Sequence, residues 1–372
     1  MDLGFSSEQD LLRKSVAEFL SKECPYETVK EIEETEEGYS KKMWKKIAEL
    51  GWMEAYFPEA YGGYGDPLMD LYIIIEEMGK AAFPSPFIST VIQCGFPILE
   101  GGSEDQKKDL LSKIAKGKLI MAMAQYEPEA SYLESGITFP AAADGENYSL
   151  SGTKMFVMDA NVADKLIVAA KTVDAGVTLF VVDAKDPGIT VRKMPVVGMD
   201  NCCEVVFKDV KASKSDIIGT AGKGWEILEK VKPRVVLAKC AEMLGGCKAS
   251  LDMTSAYAKE RVQYGKPIGG FQAIQHFMAD MLIAYDTSIN LFYKMVWMVE
   301  EGMDATMDIS GLKARLNEAY KFISERGVHI HGGVGTTREY DVGIFYLRAK
   351  AAEFAMGDTD YHLEQVAQGM GM

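Results

Sequence analysis

Positive charge is scarce in this chain: 40 Lys and Arg stand against 55 Asp and Glu, a net charge of −15. Nucleic acid and anionic membrane both need a basic surface field, so neither is expected as a partner, and a phosphorylated ligand would need local Arg or Lys. No run of roughly 18 apolar residues occurs, and Met1-Asp2-Leu3-Gly4-Phe5 lacks a basic stretch leading into an apolar one. The expected location is cytoplasmic. Cys24, Cys94, Cys202, Cys203, Cys240 and Cys247 show no CxxC spacing, and 372 residues bury enough core to need no disulfides, so free thiols are expected. The strand pattern Glu204-Val205-Val206-Phe207 places Cys202 and Cys203 on opposite faces. Histidine is rare, and His329 and His331 have no carboxylate-histidine set around them, so no metal site is expected. Gly332, Gly333 and Gly335 do not meet GxGxxG and follow a helical stretch, which argues against a Rossmann domain. Low-complexity tracts and internal repeats are absent.

What is present is an order of elements. Ser6-Ser7-Glu8-Gln9 reads as a capping box, followed by Leu11, Leu12, Val16, Phe19 and Leu20 at helical spacing. Further helices are expected at Met43 to Leu50, Met69 to Met78 and Ser89 to Leu99, with a glycine loop at Tyr61 to Gly65. Near Lys118 the pattern changes to short β runs: Ile120-Met123, Tyr148-Leu150, Lys154-Met158, Leu166-Ala169, Val177-Val182, Thr190-Met194 and Glu204-Val210. Asp144-Gly145-Glu146-Asn147 and Ser151-Gly152 read as turns between them. From Gly224 helical periodicity returns, with Ile274, Phe277, Met278, Met281, Leu282, Tyr285, Ile289 and Phe292 as one apolar stripe, and most of the 22 methionines fall inside such stripes as core packing. Helices flanking strands imply an α+β fold with segregated layers: a helical part over 1–118, a β part over 119–222 and a helical bundle over 223–372.

Two stretches then carry a resemblance. Glu260-Arg261-Val262-Gln263-Tyr264-Gly265-Lys266-Pro267-Ile268 with Gln272, and His331-Gly332-Gly333-Val334-Gly335 followed by Arg338-Glu339-Tyr340, are similar to the acyl-CoA dehydrogenase family. Tyr126-Glu127-Pro128 resembles that family's Thr-Glu-Pro flavin loop, and Gly152-Thr153-Lys154-Met155-Phe156 its Gly-x-Lys-x-Trp strand. Tyr126 replaces the threonine, Phe156 the tryptophan, and Met158 a polar flavin contact. The resemblance spans essentially the whole chain and implies FAD as cofactor, held by Gln125, Tyr126, Ser131, Phe156, Met158 and Thr359 in one subunit. Arg261, Tyr264, Gln272, Gly332 and Gly333 then serve a neighbour's FAD. It implies a homotetramer, or a heterotetramer with a paralogous subunit. A flavin ring needs aromatic or aliphatic walls with a few polar donors, and its pyrophosphate needs positive charge or free N–H groups, which these residues supply. The His329-His331 pair packs against the flavin end in this reading. Lys232-Pro233-Arg234 resembles the segment that holds coenzyme A, making Arg234 a substrate residue together with Ser131.

The implied reaction removes a proton from the α-carbon of an acyl-CoA and a hydride from its β-carbon, with electrons passing on to an electron-transferring flavoprotein. The family takes the proton with a glutamate in a Glu-Gly-Thr motif. Here the stretch is Met356-Gly357-Asp358-Thr359-Asp360-Tyr361-His362, with Gly357 at the glutamate position. A second family position, beside the coenzyme A arginine, holds Pro233. Three explanations stay open: Asp358 is the base, though it also suits a helix N-cap; the base and reaction differ, as in relatives acting on alicyclic (cyclohexane-type) carboxyl-CoA esters; or the chain is the non-catalytic subunit of a hetero-oligomer acting on dicarboxyl- or steroid-side-chain-CoA. A flavin oxidase or monooxygenase on the same fold is a further alternative. The residues near Phe87 to Gln93 and Met356 are expected to shape the acyl pocket.

Overall fold

The computed structural model describes residues 4–145, 147–173 and 176–372. Met1 to Leu3 of the N-terminal stretch, and Glu146 of one expected turn, lie outside them. The chain opens with α1 (Ser7–Glu23), α2 (Tyr26–Glu33), α3 (Lys41–Glu49) and α4 (Leu68–Lys80). The Ser6 hydroxyl accepts from Gln9 N at 3.2 Å while the Gln9 side chain accepts from Ser6 N at 3.1 Å, so the expected capping box starts α1. The helix expected at Ser89 to Leu99 is two pieces, a π-helical turn Ile88–Cys94 running into α5 (Gly95–Gly101). Such a turn shifts the side-chain directions of a helix and is often found at functional sites. Short α6 (Glu104–Gln106) and α7 (Ser112–Ala115) complete this part.

Next come β1 (Met121–Ala124), β2 (Pro140–Asp144), β3 (Asn147–Met158), β4 (Lys165–Thr172), β5 (Gly176–Asp183), β6 (Ile189–Lys193), β7 (Cys202–Ser213) and β8 (Ile217–Ile218). They form one sheet in the order β6-β7-β3-β2-β4-β5-β8, with β1 parallel to β4. Two expectations are corrected. Ser151-Gly152 is not a turn: Tyr148 to Met158 is one strand, and the register against β7 slips between Leu150 and Gly152, a bulge that local turn residues imitate in sequence. The Ala-rich β2, pairing with β3 and β4, was not expected. Strands β4 and β5 are buried on both faces. Leu166, Val168, Ala170 and Phe180 fill a core inside the β part, whereas Ile167, Ala169, Leu179 and Val181 join the large core shared with the helices. All six cysteines are free, and Cys203 belongs to the inner core of the β part.

The last part holds α8 (Gly224–Glu260), a hairpin of β9 (Val262–Gln263) and β10 (Lys266–Pro267), then α9 (Gln272–Glu300), α10 (Thr306–His331), α11 (Val342–Phe354) and α12 (Thr359–Gly369). Gly79 of α4 and Gly245 of α8 let these helices meet backbone to backbone: a Cβ on Gly245 would lie 2.0 Å from Glu76 O. This contact fixes where α8 crosses the helical layer. In the expected α9 stripe Met281, Tyr285 and Phe292 are buried, but Leu282 is exposed. No helix among the described residues is long and apolar enough to cross a membrane.

Candidate active site

A cavity of about 680 Å³ is walled by residues from all three parts of the chain. Gln125 and Tyr126 reach it from the end of β1, Phe156 and Met158 from the end of β3, and Trp225, Leu228 and Lys232 from α8. Met356 and Tyr361 close it from the loop before α12 and its first turn, and Phe87, Ile88, Ser89 and Gln93 come from the π-helical turn and its approach. The backbone at Phe156 explains its role as a wall. The β3–β7 register slips a second time between Lys154 and Val157, and Phe156 sits there at φ +56°. Bulges re-aim side chains, and a bulky residue at positive φ persists only where its surroundings impose it. The ring is turned out of the sheet and is 40% exposed in the cavity wall.

Beneath this wall lies a buried ion pair. Lys154 is 0% exposed, and its Nζ donates to Gln125 O and to Glu127 Oε1, both at 2.9 Å. Glu127 also accepts from Thr138 N and Oγ1 and from Phe139 N. Burial works against the Glu127 charge, but these donors and Lys154 hold its pKa below the usual carboxylate range. The network ties the loop 125–128 to β3, so Tyr126 and Phe156 form one wall.

Another stretch of the lining is polar. Ser89 Oγ donates to Asp159 Oδ2 at 2.6 Å, and burial pushes the Asp159 carboxyl up to about 6. Asp200, Lys239 paired with Glu242, and Arg348 paired with Glu33 at 2.7 Å line the same cavity. Apart from Ser89, which lies in the expected Phe87 to Gln93 stretch, sequence reasoning missed these residues. They come from separate segments, and no spacing along the chain announces their meeting.

The expected site residues divide into groups. Gln125, Tyr126, Phe156 and Met158 line the cavity together. Ser131 lies between the lining residues Ala130 and Tyr132, and Thr359 in the stretch between Met356 and Tyr361, without being among them; the Ser131 hydroxyl accepts from Leu133 N at 3.2 Å. Arg234, expected to meet coenzyme A, pairs with Glu100 at 3.1 Å and lies over the Phe96 ring, because the acidic partner on α5 faces it. Arg261, Tyr264, Gln272, Gly332 and Gly333 are exposed and away from this cavity. The two stretches that hold them do meet: Tyr257, one turn before Arg261, stacks on His331 at 4.3 Å, immediately before Gly332. His331 is thus engaged with Tyr257 and Tyr340.

Asp358 takes up the N-cap position, one of the two roles left open for it. Its carboxylate accepts from Tyr361 N at 2.8 Å and caps α12, and it is not part of the cavity wall. The unpaired N–H groups of a helix start attract a carboxylate strongly. Asparagine caps as well as aspartate but takes up no proton at neutral pH. Asp358→Asn is therefore expected to keep both stability and turnover close to wild type, whereas Asp358→Ala loses about 1 kcal/mol in chemical denaturation. An Asp358→Asn enzyme that is stable but inactive would return the base to this residue.

The walls fit a flavin: a cavity of ligand size, an aromatic ring and thioether side chains as faces, and Gln125 with nearby backbone as polar edge. Residues 6–118, 122–210 and 222–371 match, in order, the N-terminal, middle and C-terminal domains of acyl-CoA dehydrogenases. A probable acyl-CoA dehydrogenase of Bacillus subtilis is 30% identical, with 97% of each chain covered. A subunit of the caffeyl-CoA reductase-Etf complex of Acetobacterium woodii is 31% identical, with 98% of each chain covered. The solved butyryl-CoA dehydrogenase from Megasphaera elsdenii superposes with a TM-score of 0.92 at 29% identity over 100% of both chains. With the helix, strand, helix order, the cavity walls and three family domains in agreement, this chain belongs to the acyl-CoA dehydrogenase family, as an enzyme of that type with FAD as its cofactor.

Proposed function

We propose that the protein oxidises an acyl-CoA thioester between its α and β carbons and passes the electrons to an electron-transferring flavoprotein. FAD, when bound, supplies the hydride acceptor. The observation that carries this reading is the wall of Tyr126, Phe156 and Met158, locked from behind by Lys154 and Glu127. Gln125, Tyr126, Phe156 and Met158 would hold the ring, with Ser131 and Thr359 at its margin. Arg261, Tyr264, Gln272, Gly332 and Gly333 would serve the pyrophosphate end in a neighbouring subunit of a homotetramer. The exposed Arg261 side chain, without an ion pair among the described residues, suits that task. Arg234 would reach coenzyme A by exchanging Glu100 for phosphate. The Etf complex of the caffeyl-CoA reductase relative supports the electron partner. The parts 1–118, 119–222 and 223–372 act as the three domains of a cytoplasmic enzyme.

The acyl group would lie against Phe87 to Gln93 and Met356, and we assign it an alicyclic ring. The test is a panel of straight, branched, dicarboxylic and alicyclic CoA thioesters, added without oxygen to the purified chain and read by loss of the visible flavin band. An alicyclic thioester is expected to bleach it fastest; faster bleaching by a straight-chain ester overturns that assignment. A second reading, a non-catalytic subunit of a hetero-oligomer, is favoured by the absence of a carboxylate at Gly357 and Pro233. An active, FAD-loaded homo-oligomer on size exclusion disposes of it. FAD uptake only in the presence of a paralogous chain would establish it instead.

A further inference from the structure

Gly357 stands where the family's glutamate would be, and the structure shows what fills the space around it. A Cβ on Gly357 would lie 2.6 Å from Tyr361 Cδ1 and 2.5 Å from His362 Nε2. The volume next to that backbone position is therefore taken by the His362 and Tyr361 rings, of which Tyr361 lines the cavity. The second vacant position, Pro233, directly follows Lys232, which also lines the cavity and sets its Nζ 5.1 Å from the centre of the Tyr361 ring. Helix α8 and the loop leading into α12, which lack a carboxylate at the two family positions, thus bring an ammonium and a phenol together one residue from Pro233 and four residues from Gly357.

Resting on the acyl-CoA reading above, we propose that Tyr361 is the group that exchanges the substrate's α-proton, with Lys232 as the positioning residue that stabilises its negative charge. In the oxidative direction Tyr361 Oη takes up the α-proton as its own hydroxyl proton leaves to water past Lys232, so the residue ends the step as the phenol. The Cα–H bond breaks and the Oη–H bond forms. The electron pair of the broken bond would become the α,β double bond, with FAD, when bound, supplying the acceptor for the Cβ hydride.

The surroundings support the assignment. Tyr132 packs against Tyr361 at 5.1 Å and Tyr126 against Tyr132 at 5.8 Å, so the ring is held on its cavity side by aromatic neighbours. The Asp358 cap fixes the Tyr361 backbone N–H. Lys232 Nζ donates to Glu229 Oε1 at 3.1 Å, and side-chain exposures of 21% and 42% along this pair open a route for the proton to water. Burial opposes the Lys232 charge, but Tyr361 and Glu229 outweigh it and keep its pKa above the ordinary lysine value. The remaining neighbour, His362, is buried with its Nε2 against Met356 O at 3.1 Å; burial first, then Lys313, lowers its pKa to about 4, so it stays neutral.

Acetoacetyl-CoA is the probe, because its acidic α-proton can be removed without hydride transfer and the enolate absorbs in the ultraviolet. The FAD-loaded wild type is expected to form enolate on binding. Tyr361→Phe keeps the ring, so FAD content, melting temperature and probe affinity by equilibrium dialysis stay near wild type, while enolate falls about 100-fold or more. With the thioester that bleaches fastest, kcat falls by a similar factor at little-changed KM, in the range of general acid-base catalysis. Lys232→Met, which removes the ammonium but keeps the phenol, shows an intermediate loss. Should Tyr361→Phe lose FAD or unfold, wild-type enolate and kcat in Lys232→Met overturn the proposal. Enolate formation by an intact Tyr361→Phe at the wild-type level also overturns it. Binding of the probe without enolate in the wild type removes the role of Tyr361 alone; failure of the wild type to bind any CoA thioester removes the acyl-CoA reading as well.

Discussion

Lys154→Met is expected to destabilise the protein by about 3–5 kcal/mol, the range seen when one member of a buried ion pair is deleted. Lys154 has no access to water, and its loss leaves Glu127, itself 5% exposed, as a buried carboxylate facing methionine. Thr138 and Phe139 would still donate to Glu127, which keeps the effect within that range. A second consequence is local. Lys154 Nζ also holds Gln125 O, so the loop carrying Tyr126 loses its tie to β3 and the cavity wall opens. FAD content after purification should fall together with the denaturation midpoint. Wild-type stability and full flavin content in Lys154→Met would show that the pair neither stabilises the fold nor shapes the wall.

Gly357→Glu, the substitution that would rewrite the family's motif, is expected to abolish turnover and to destabilise. Gly357 has φ +114°, which side chains with a Cβ rarely adopt. The new Cβ would also press into Tyr361 and His362, and overpacking of this kind costs about 1–3 kcal/mol. The Lys313 Nζ bond to Gly357 O, at 3.1 Å, ties the backbone at this point to α10, so it cannot shift freely. Both the His362 and the Tyr361 ring would have to give way. The outcome is read by steady-state rate and thermal melting; a stable variant faster than wild type would mean that the loop accepts the glutamate and that Tyr361 is replaceable.

Much of this was legible in the chain. The capping box at Ser6, the return of helical periodicity at Gly224 and the strand runs from Ile120 all rest on local patterns, which the structure follows. The misreadings were places where one local pattern serves two structures. Ser151-Gly152 has turn chemistry, yet pairing with β7 on either side turns it into a bulge. The run Pro140-Ala141-Ala142-Ala143 has little intrinsic strand preference and is a strand because β3 and β4 flank it.

The site was legible in part for the same reason. Gln125, Tyr126, Phe156 and Met158 could be named from short motifs. The pairing of Arg234 with Glu100, 134 residues earlier, could not. Asp358 satisfies a cap and a catalytic carboxylate equally well on paper, and only the direction of its side chain separates them. Tyr361 gave no signal of its own, because its position against Gly357 and Lys232 exists only once α8 and α12 are packed.

The most direct test of the whole account is to purify the chain alone, load it with FAD and titrate it without oxygen with acyl-CoA thioesters of the panel. The account requires a yellow protein whose flavin band is bleached by at least one thioester, with an α,β-unsaturated acyl-CoA formed in equal amount. A colourless protein that takes up no FAD, or a flavin that no thioester reduces, would contradict it.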